Sequence, residues 1–247
     1  MRFDIFCDIV DNYGDAGVCW RLARRLAQTS PHHNHDSIRL FCNDLELLNH
    51  LAGGDAQSLA KSLNIEILSW EQASLVTNAP DVVIEAFGCE LPTTYLDRVR
   101  SNPHAIIINL EYLSAENWID SHHGLPSLSD GLKKYFFFPG FSESSGGVLQ
   151  GPLPGANASC PSSLDPSLGG ATKNGDALNI SLFCYEAPEV LTLLDQLSLL
   201  STPINLFVCH GQAQRVVSKW IKQELTLGQK IQHQNLQIIP IPFVSQD

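Results

Sequence analysis

Apolar residues recur along the chain in short runs of strand length, and the segments between them carry apolar positions at helical spacing. In the first half the runs are RFDIFCDIV (2–10), IRLFCN (38–43), NIEILSW (64–70), DVVIEAF (81–87), AIIINLEYL (105–113) and KYFFFPGF (134–141). Helices are expected from about Ala16 to Gln28, over DLELLNHL (44–51), and from about Pro92 to Arg100. This alternation predicts a parallel sheet with crossover helices, because parallel neighbours need a connection long enough to return across the sheet. Between Gly151 and Asp176 the pattern lapses into Gly, Pro, Ser and Ala, the composition of a linker or long surface loop. It then restarts with LNISLFCYE (178–186), a helix from Pro188 to Leu200, INLFVCH (204–210), a helix over QAQRVVSKWIKQEL (212–225), and LQIIPIPF (236–243).

The pattern therefore predicts two α/β domains: a Rossmann-like domain over 1–155, a linker over 156–176, and the start of a second domain over 177–247. Three strands and two helices are too few layers to cover both faces of a doubly wound sheet. The second domain is expected to be incomplete in a chain of 247 residues.

Composition narrows the function class. The 44% hydrophobic content is that of a packed globular protein. No apolar run reaches the roughly 18 residues of a membrane span, and the start MRFDIF lacks the apolar core of a secretion signal. A net charge of −11 repels phosphate backbones and anionic lipid, which argues against direct nucleic-acid or membrane partners. Seven scattered cysteines (7, 19, 42, 89, 160, 184 and 209) with no CxxC pair suit reduced, buried thiols and a cytoplasmic location.

The candidate chemistry lies in DNYGDAG (11–17), at the handover from the first strand to its helix, where open α/β folds place ligands. Gly14 and Gly17 permit tight turning, and the free N–H groups of a helix starting near Asp15 or Ala16 favour nearby negative charge. Asp15 fits a helix cap, worth about 1 kcal/mol, and Asp11 an Asx turn. Equally, two carboxylates on a glycine-bearing turn can accept a proton or bind a cation. The glycines spell neither GxGxxG nor a P-loop. Spacing leaves cap and catalyst both open.

Other features weigh less. HHNH (32–35) has no partner at metal-ligand spacing and reads as solvated loop histidines. GFSESSGG (140–147) resembles a phosphate-cradling turn but lacks a lysine, and reads first as a flexible surface loop. Arg21, Arg24 and Arg25 fit a solvated helix face. Glu111 and Tyr112 either line a cleft or belong to a cap around Ser114. Phe183 and Tyr185, two apart on an expected strand, share one face, where core packing or a ligand contact would use them equally well.

IFCDIVDNYGDAGVCWRLARRLA, DVVIEAFGCELP, NLEYLSAENW, YFFFPGFSESSGGVL, SLFCYE and IPFVSQD, taken in order, resemble the bacterial protein-arginine rhamnosyltransferase family that modifies elongation factor P. The likeness covers the chain except 151–176. It implies a GT-B type glycosyltransferase with two facing Rossmann-like domains. The implied activity is inverting transfer of L-rhamnose from dTDP-β-L-rhamnose to an arginine of elongation factor P, with no metal or other cofactor. By the same resemblance Asp15 matches the general base and Asp11 a second essential acid. Phe183 and Tyr185 match aromatic contacts to the donor nucleotide, and Gln246 a contact to the thymine. Backbone N–H groups around Asn12 and Gly14 are expected to help hold the donor phosphates. The family continues past PFVSQD, so truncation is expected, and the alternative is a non-catalytic module that binds elongation factor P without turning over donor.

Overall fold

A computed structural model of the chain describes residues 1–10, 12–29, 37–127, 131–149, 177–185 and 188–242. The described residues fall into two compact units, one within 1–149 and the other within 177–242. The expected linker lies outside them.

In the first unit the order is β1 (Arg2–Cys7), α1 (Asn12–Thr29), β2 (Ser37–Cys42), α2 (Leu45–Leu51), α3 (Ala56–Ser62) and β3 (Ile65–Ser69). A 3-10 turn over Trp70–Leu75 leads to β4 (Val82–Ala86), α4 (Thr93–Arg100) and β5 (Ile106–Leu110). A second 3-10 turn (Asn117–Ser121), a short β6 (Pro126–Ser127) and β7 (Lys133–Phe137) complete it. The sheet order is β3-β2-β1-β4-β5-β7-β6, parallel except for β6.

The central strands are apolar on both faces because both are covered, as parallel sheets require. Ile5, Cys7, Leu40, Ile84 and Ala86 pack with Cys19, Trp20 and Ala23 of α1 on one side. Phe6, Phe41, Val83 and Ile107 pack with Tyr95 and Val99 of α4 on the other, with Phe6 and Phe41 stacked at 4.3 Å. That second face also buries charge. Arg39 donates through Nε and Nη2 to the two oxygens of Asp4 at 2.7 and 2.6 Å, and the Tyr95 hydroxyl donates to Asp4 Oδ2 at 2.5 Å. The fork geometry satisfies a carboxylate that would be costly to bury alone. Burial, and then the Asp4 charge, push the Tyr95 hydroxyl well above its ordinary range.

Several expectations change here. Helix α1 begins at Asn12, not near Asp15 or Ala16. Arg21, Arg24 and Arg25 are half-buried and do not form a solvated face, because α1 is packed along most of its circumference; Arg24 lies over the Trp20 ring at 5.8 Å. The 140–147 loop is exposed over 141–144, as a surface loop would be, but its end is held: Gly146 N–H donates to Phe138 O at 2.8 Å, and a Cβ on Gly146 would meet the Phe137 ring at 2.5 Å. Helix α3, capped by Asp55 onto Ser58 N–H, was not legible in the apolar pattern.

The second unit contains β8 (Leu178–Leu182), α5 (Pro188–Ser198), β9 (Ile204–Val208), α6 (Gln212–Ile221) and a hairpin of β10 (Ile231–His233) with β11 (Leu236–Pro240). Its sheet runs β10-β11-β9-β8, with β8, β9 and β11 parallel. Leu182, Leu194, Leu206, Val208, Val217 and Ile238 form its core. Trp220 of α6 donates its indole N–H to Asp195 of α5 at 2.7 Å. Strand β8 stops at Leu182, so Phe183 and Tyr185 lie beyond it and not on a sheet face.

Candidate functional site

The order of the first sheet reverses between β1 and β4. The chain leaves β1 for β2 on one side and returns from β3 to β4 on the other, so the connections at the carboxyl ends of β1 and β4 diverge. An open α/β sheet leaves its ligand crevice there.

Asp15 lies at this point, in the first turn of α1 and 1% exposed. It is not a helix cap. The Val10 N–H donates to its Oδ2 at 3.2 Å, and the Tyr112 hydroxyl donates to its Oδ1 at 3.1 Å. The early helix turn adds the favourable end of the macrodipole. Gly14 is exposed in the same turn, inside the helix and not in a loop. Of Asn12, its place as the first residue of α1 is described; Asp11 lies outside the described residues, as do Gln246 and the 32–35 histidines.

The surroundings of Asp15 come from two other strand ends. After β4 the chain turns through Phe87 and Gly88, both left-handed, with φ of 58° and 72°. For a residue with a Cβ this conformation costs about 1–2 kcal/mol, and such outliers gather at functional sites. The Phe87 N–H donates to Leu110 O at 2.7 Å, joining the end of β4 to the end of β5. Two residues after β5, the Tyr112 ring stacks on Phe87 at 4.4 Å and 14°. Asn43, just past β2, accepts from Ile9 N–H at 2.9 Å and donates to Asp8 at 2.5 Å, which straps the segment leading to α1. Ser114 accepts from Glu116 N–H at 3.0 Å, a local turn, and the 3-10 turn that Glu116 precedes has no side-chain cap bond, so the expected cap around Ser114 is not formed.

Beneath the carboxylate, a hydrogen bond with Cys19 and then burial hold the Cys7 thiol far above its usual range, so it remains a neutral thiol. The chemistry available at this point is that of a fixed carboxylate in a desolvated setting, able to accept a proton or engage a cation strongly. The Tyr112 bond to Asp15, the Phe87 ring behind Tyr112 and the Asn43 strap on Ile9 and Asp8 were not singled out from the sequence. Phe87 and Gly88 in sequence were the available signal, and no propensity rule makes a phenylalanine left-handed.

In the second unit Phe183 and Tyr185 are 66% and 48% exposed and meet edge to face at 5.9 Å. Exposed aromatics of this kind, just past the carboxyl end of β8, suit contact with a planar ring. Between them Cys184 packs on the second core, and burial raises its thiol. Among the described residues no cluster of three His, Cys, Asp or Glu is placed to hold a metal ion, and no helix is long and apolar enough to cross a membrane.

A doubly wound sheet with a carboxylate anchored at its switch point places the first unit among α/β proteins that bind a ligand over the carboxyl ends of their strands. Comparison with known proteins is more specific. The sequence pattern of the family described as "Elongation-Factor P (EF-P) rhamnosyltransferase EarP" matches residues 3–247. The chain is 38% identical over 256 residues to a protein-arginine rhamnosyltransferase of Pseudomonas putida, covering 99% of this chain and 67% of the relative. To that of Pseudomonas aeruginosa it is 40% identical over 257 residues, with the same coverage. The chain thus spans about two thirds of the length of these relatives. A solved structure described as "Structural basis for EarP-mediated arginine glycosylation of translation elongation factor EF-P" covers 99% of this chain at 24% identity, with a TM-score of 0.44 and 61% of its own chain matched. MurG of Acinetobacter baumannii matches at 15% identity and a TM-score of 0.43, over all of this chain and 68% of that one. The chain belongs to the elongation factor P rhamnosyltransferase family, a family of enzymes.

Proposed function

We propose that the chain carries the transfer for which its family is named, moving L-rhamnose from dTDP-β-L-rhamnose to one guanidinium nitrogen of an arginine on elongation factor P. The observation that supports this most directly is the buried, doubly hydrogen-bonded Asp15 at the switch point. A guanidinium is protonated and delocalised, with a pKa above about 12, and is a poor nucleophile without help. A carboxylate that accepts one of its N–H bonds localises electron density on the attacking nitrogen. As that nitrogen bonds to the anomeric carbon on the face opposite the leaving group, the carbon–oxygen bond to the diphosphate breaks and dTDP departs. The configuration inverts, and Asp15 takes the proton.

Each Asp15 oxygen has two lone pairs and uses one on a described donor, so an incoming N–H shares an oxygen with Val10 or Tyr112, or replaces it. In this reading Asp11 is the second acid, orienting the planar guanidinium. Phe183 and Tyr185 take the thymine, with Gln246 on its edge, and the amides of the Asn12–Gly14 turn face the phosphates. The two α/β units serve as the halves of a GT-B type transferase in the cytoplasm. The transfer uses no metal cofactor.

The test is to incubate the chain with dTDP-β-L-rhamnose and elongation factor P and measure the intact mass of the acceptor. A gain of one deoxyhexose, lost when the acceptor arginine is replaced by lysine and unaffected by a chelator, is expected. An acceptor of unchanged mass at stoichiometric enzyme, with donor binding absent by calorimetry, refutes the reading.

A further inference from the structure

Asp15 needs a defined orientation as well as a place. The terminal torsion of an aspartate is broad, so a bond to one oxygen, such as that from the Val10 amide, does not by itself fix the carboxylate plane. The Tyr112 hydroxyl supplies the second point, on the other oxygen. Two donors on two oxygens define the plane.

Tyr112 is 51% exposed and lies past the end of β5, where a lone side chain would exchange rotamers freely. The parallel stack on Phe87 restrains it. Phe87 is restrained in turn by its left-handed backbone and by its N–H bond to Leu110 O, two residues before Tyr112. The ends of β1, β4 and β5 thus meet in one connected set: Asp15, Phe87 and Tyr112.

We propose that Tyr112, backed by Phe87, is a positioning residue that sets the carboxylate plane of Asp15 for proton acceptance. The proposal rests on the reading of Asp15 as the base. Tyr112→Phe keeps the ring and its stack and removes the donor. In the transfer assay with the full chain, Tyr112→Phe is expected to lower kcat about tenfold or more, the effect of losing a hydrogen bond to a charged group. KM for the acceptor should remain at its wild-type value, and the melting temperature should fall by no more than a few degrees, the loss of one hydrogen bond. Phe87→Leu should lower kcat in the same direction. Because both act through one hydroxyl, the double variant should be no slower than the slower single. Wild-type kcat in Tyr112→Phe, or losses that multiply in the double variant, would overturn the proposal.

A second measurement is independent of turnover. Freed on one oxygen, the carboxylate holds Val10 less firmly, so hydrogen exchange at the Val10 amide should quicken in Tyr112→Phe while exchange in β1 stays unchanged. Unaltered Val10 exchange overturns the positioning role even where transfer is observed. If the wild-type chain transfers no sugar, the functional reading fails, and the exchange result still decides whether Tyr112 orients Asp15.

Discussion

Asp15→Asn separates the structural and chemical roles of this side chain. The asparagine oxygen can accept from Val10 N–H, and its NH2 can donate to the Tyr112 oxygen, since a phenol hydroxyl both donates and accepts. Both contacts therefore survive. What is lost is the difference between charge-assisted and neutral hydrogen bonds, about 1 kcal/mol, with about 0.3–1 kcal/mol from the helix macrodipole. The sum, about 1–2 kcal/mol, lowers the melting temperature by a few degrees in a chain of this size. The effect on catalysis is of another order. An amide cannot take the proton, and removing a general base lowers turnover by about 10²–10⁴-fold. Asp15→Ala is the reference, because it also leaves the Val10 N–H without this partner, at about 1 kcal/mol more for an amide that water can reach. Calorimetric melting and the rate of dTDP release measure the two quantities. Turnover above a tenth of wild type in Asp15→Asn would refute its role as base. An Asn variant that melts as low as the Ala variant would refute the hydrogen-bond geometry.

Three further outcomes are expected. Phe183→Ala and Tyr185→Ala should each weaken dTDP-rhamnose binding by about 1–3 kcal/mol, the usual worth of stacking an aromatic on a base, read by titration calorimetry; unchanged affinity removes them from the donor site. Arg39→Leu strips the bidentate partner from the fully buried Asp4 and should cost about 3–5 kcal/mol in urea unfolding, with Arg39→Lys recovering part of the loss because an ammonium cannot reproduce the fork. Burial holds the Cys42 and Cys89 thiols up at about 12 against an ordinary 9.0. Between those values the folded chain keeps protons that the unfolded chain has released, so stability is fully present below about pH 9 and falls as pH rises, by up to about 1.4 kcal/mol per unit for each thiol. Unfolding midpoints that hold level across that range would contradict this.

Most helices and strands of the first unit, α3 and the short β6 apart, were legible from apolar spacing because a sheet covered on both faces needs continuous apolar runs, and β1, β2, β4 and β5 supply them. The same logic misplaced the ends. RFDIFCDIV reads as strand to Val10, but pairing stops at Cys7, where β2 ends with Cys42 and β4 with Ala86. The early start of α1 followed, and it moved Asp15 from a cap to the interior of the first turn. SLFCYE reads as one strand for a similar reason: alternation in Phe183, Cys184 and Tyr185 continues the pattern of β8 after its pairing with β9 has ended at Leu182. Apolar alternation reports side-chain environment, whereas pairing needs a partner strand alongside at that position.

By itself the sequence determined the α/β class, the strand-to-helix junction that carries the acidic pair, the family, and the absence of a GxGxxG or P-loop pattern. These follow from local spacing and residue type, which the chain carries wherever it folds. The tertiary structure alone decided how Asp15 is held. Its partners Val10 and Tyr112 are five and 97 residues away. The stack that steadies Tyr112 comes from a third strand end, at a phenylalanine whose backbone conformation its residue type disfavours. Contacts of that separation arise because the sheet order brings the carboxyl ends of β1, β4 and β5 side by side, and sheet order is a property of packing that no local pattern encodes.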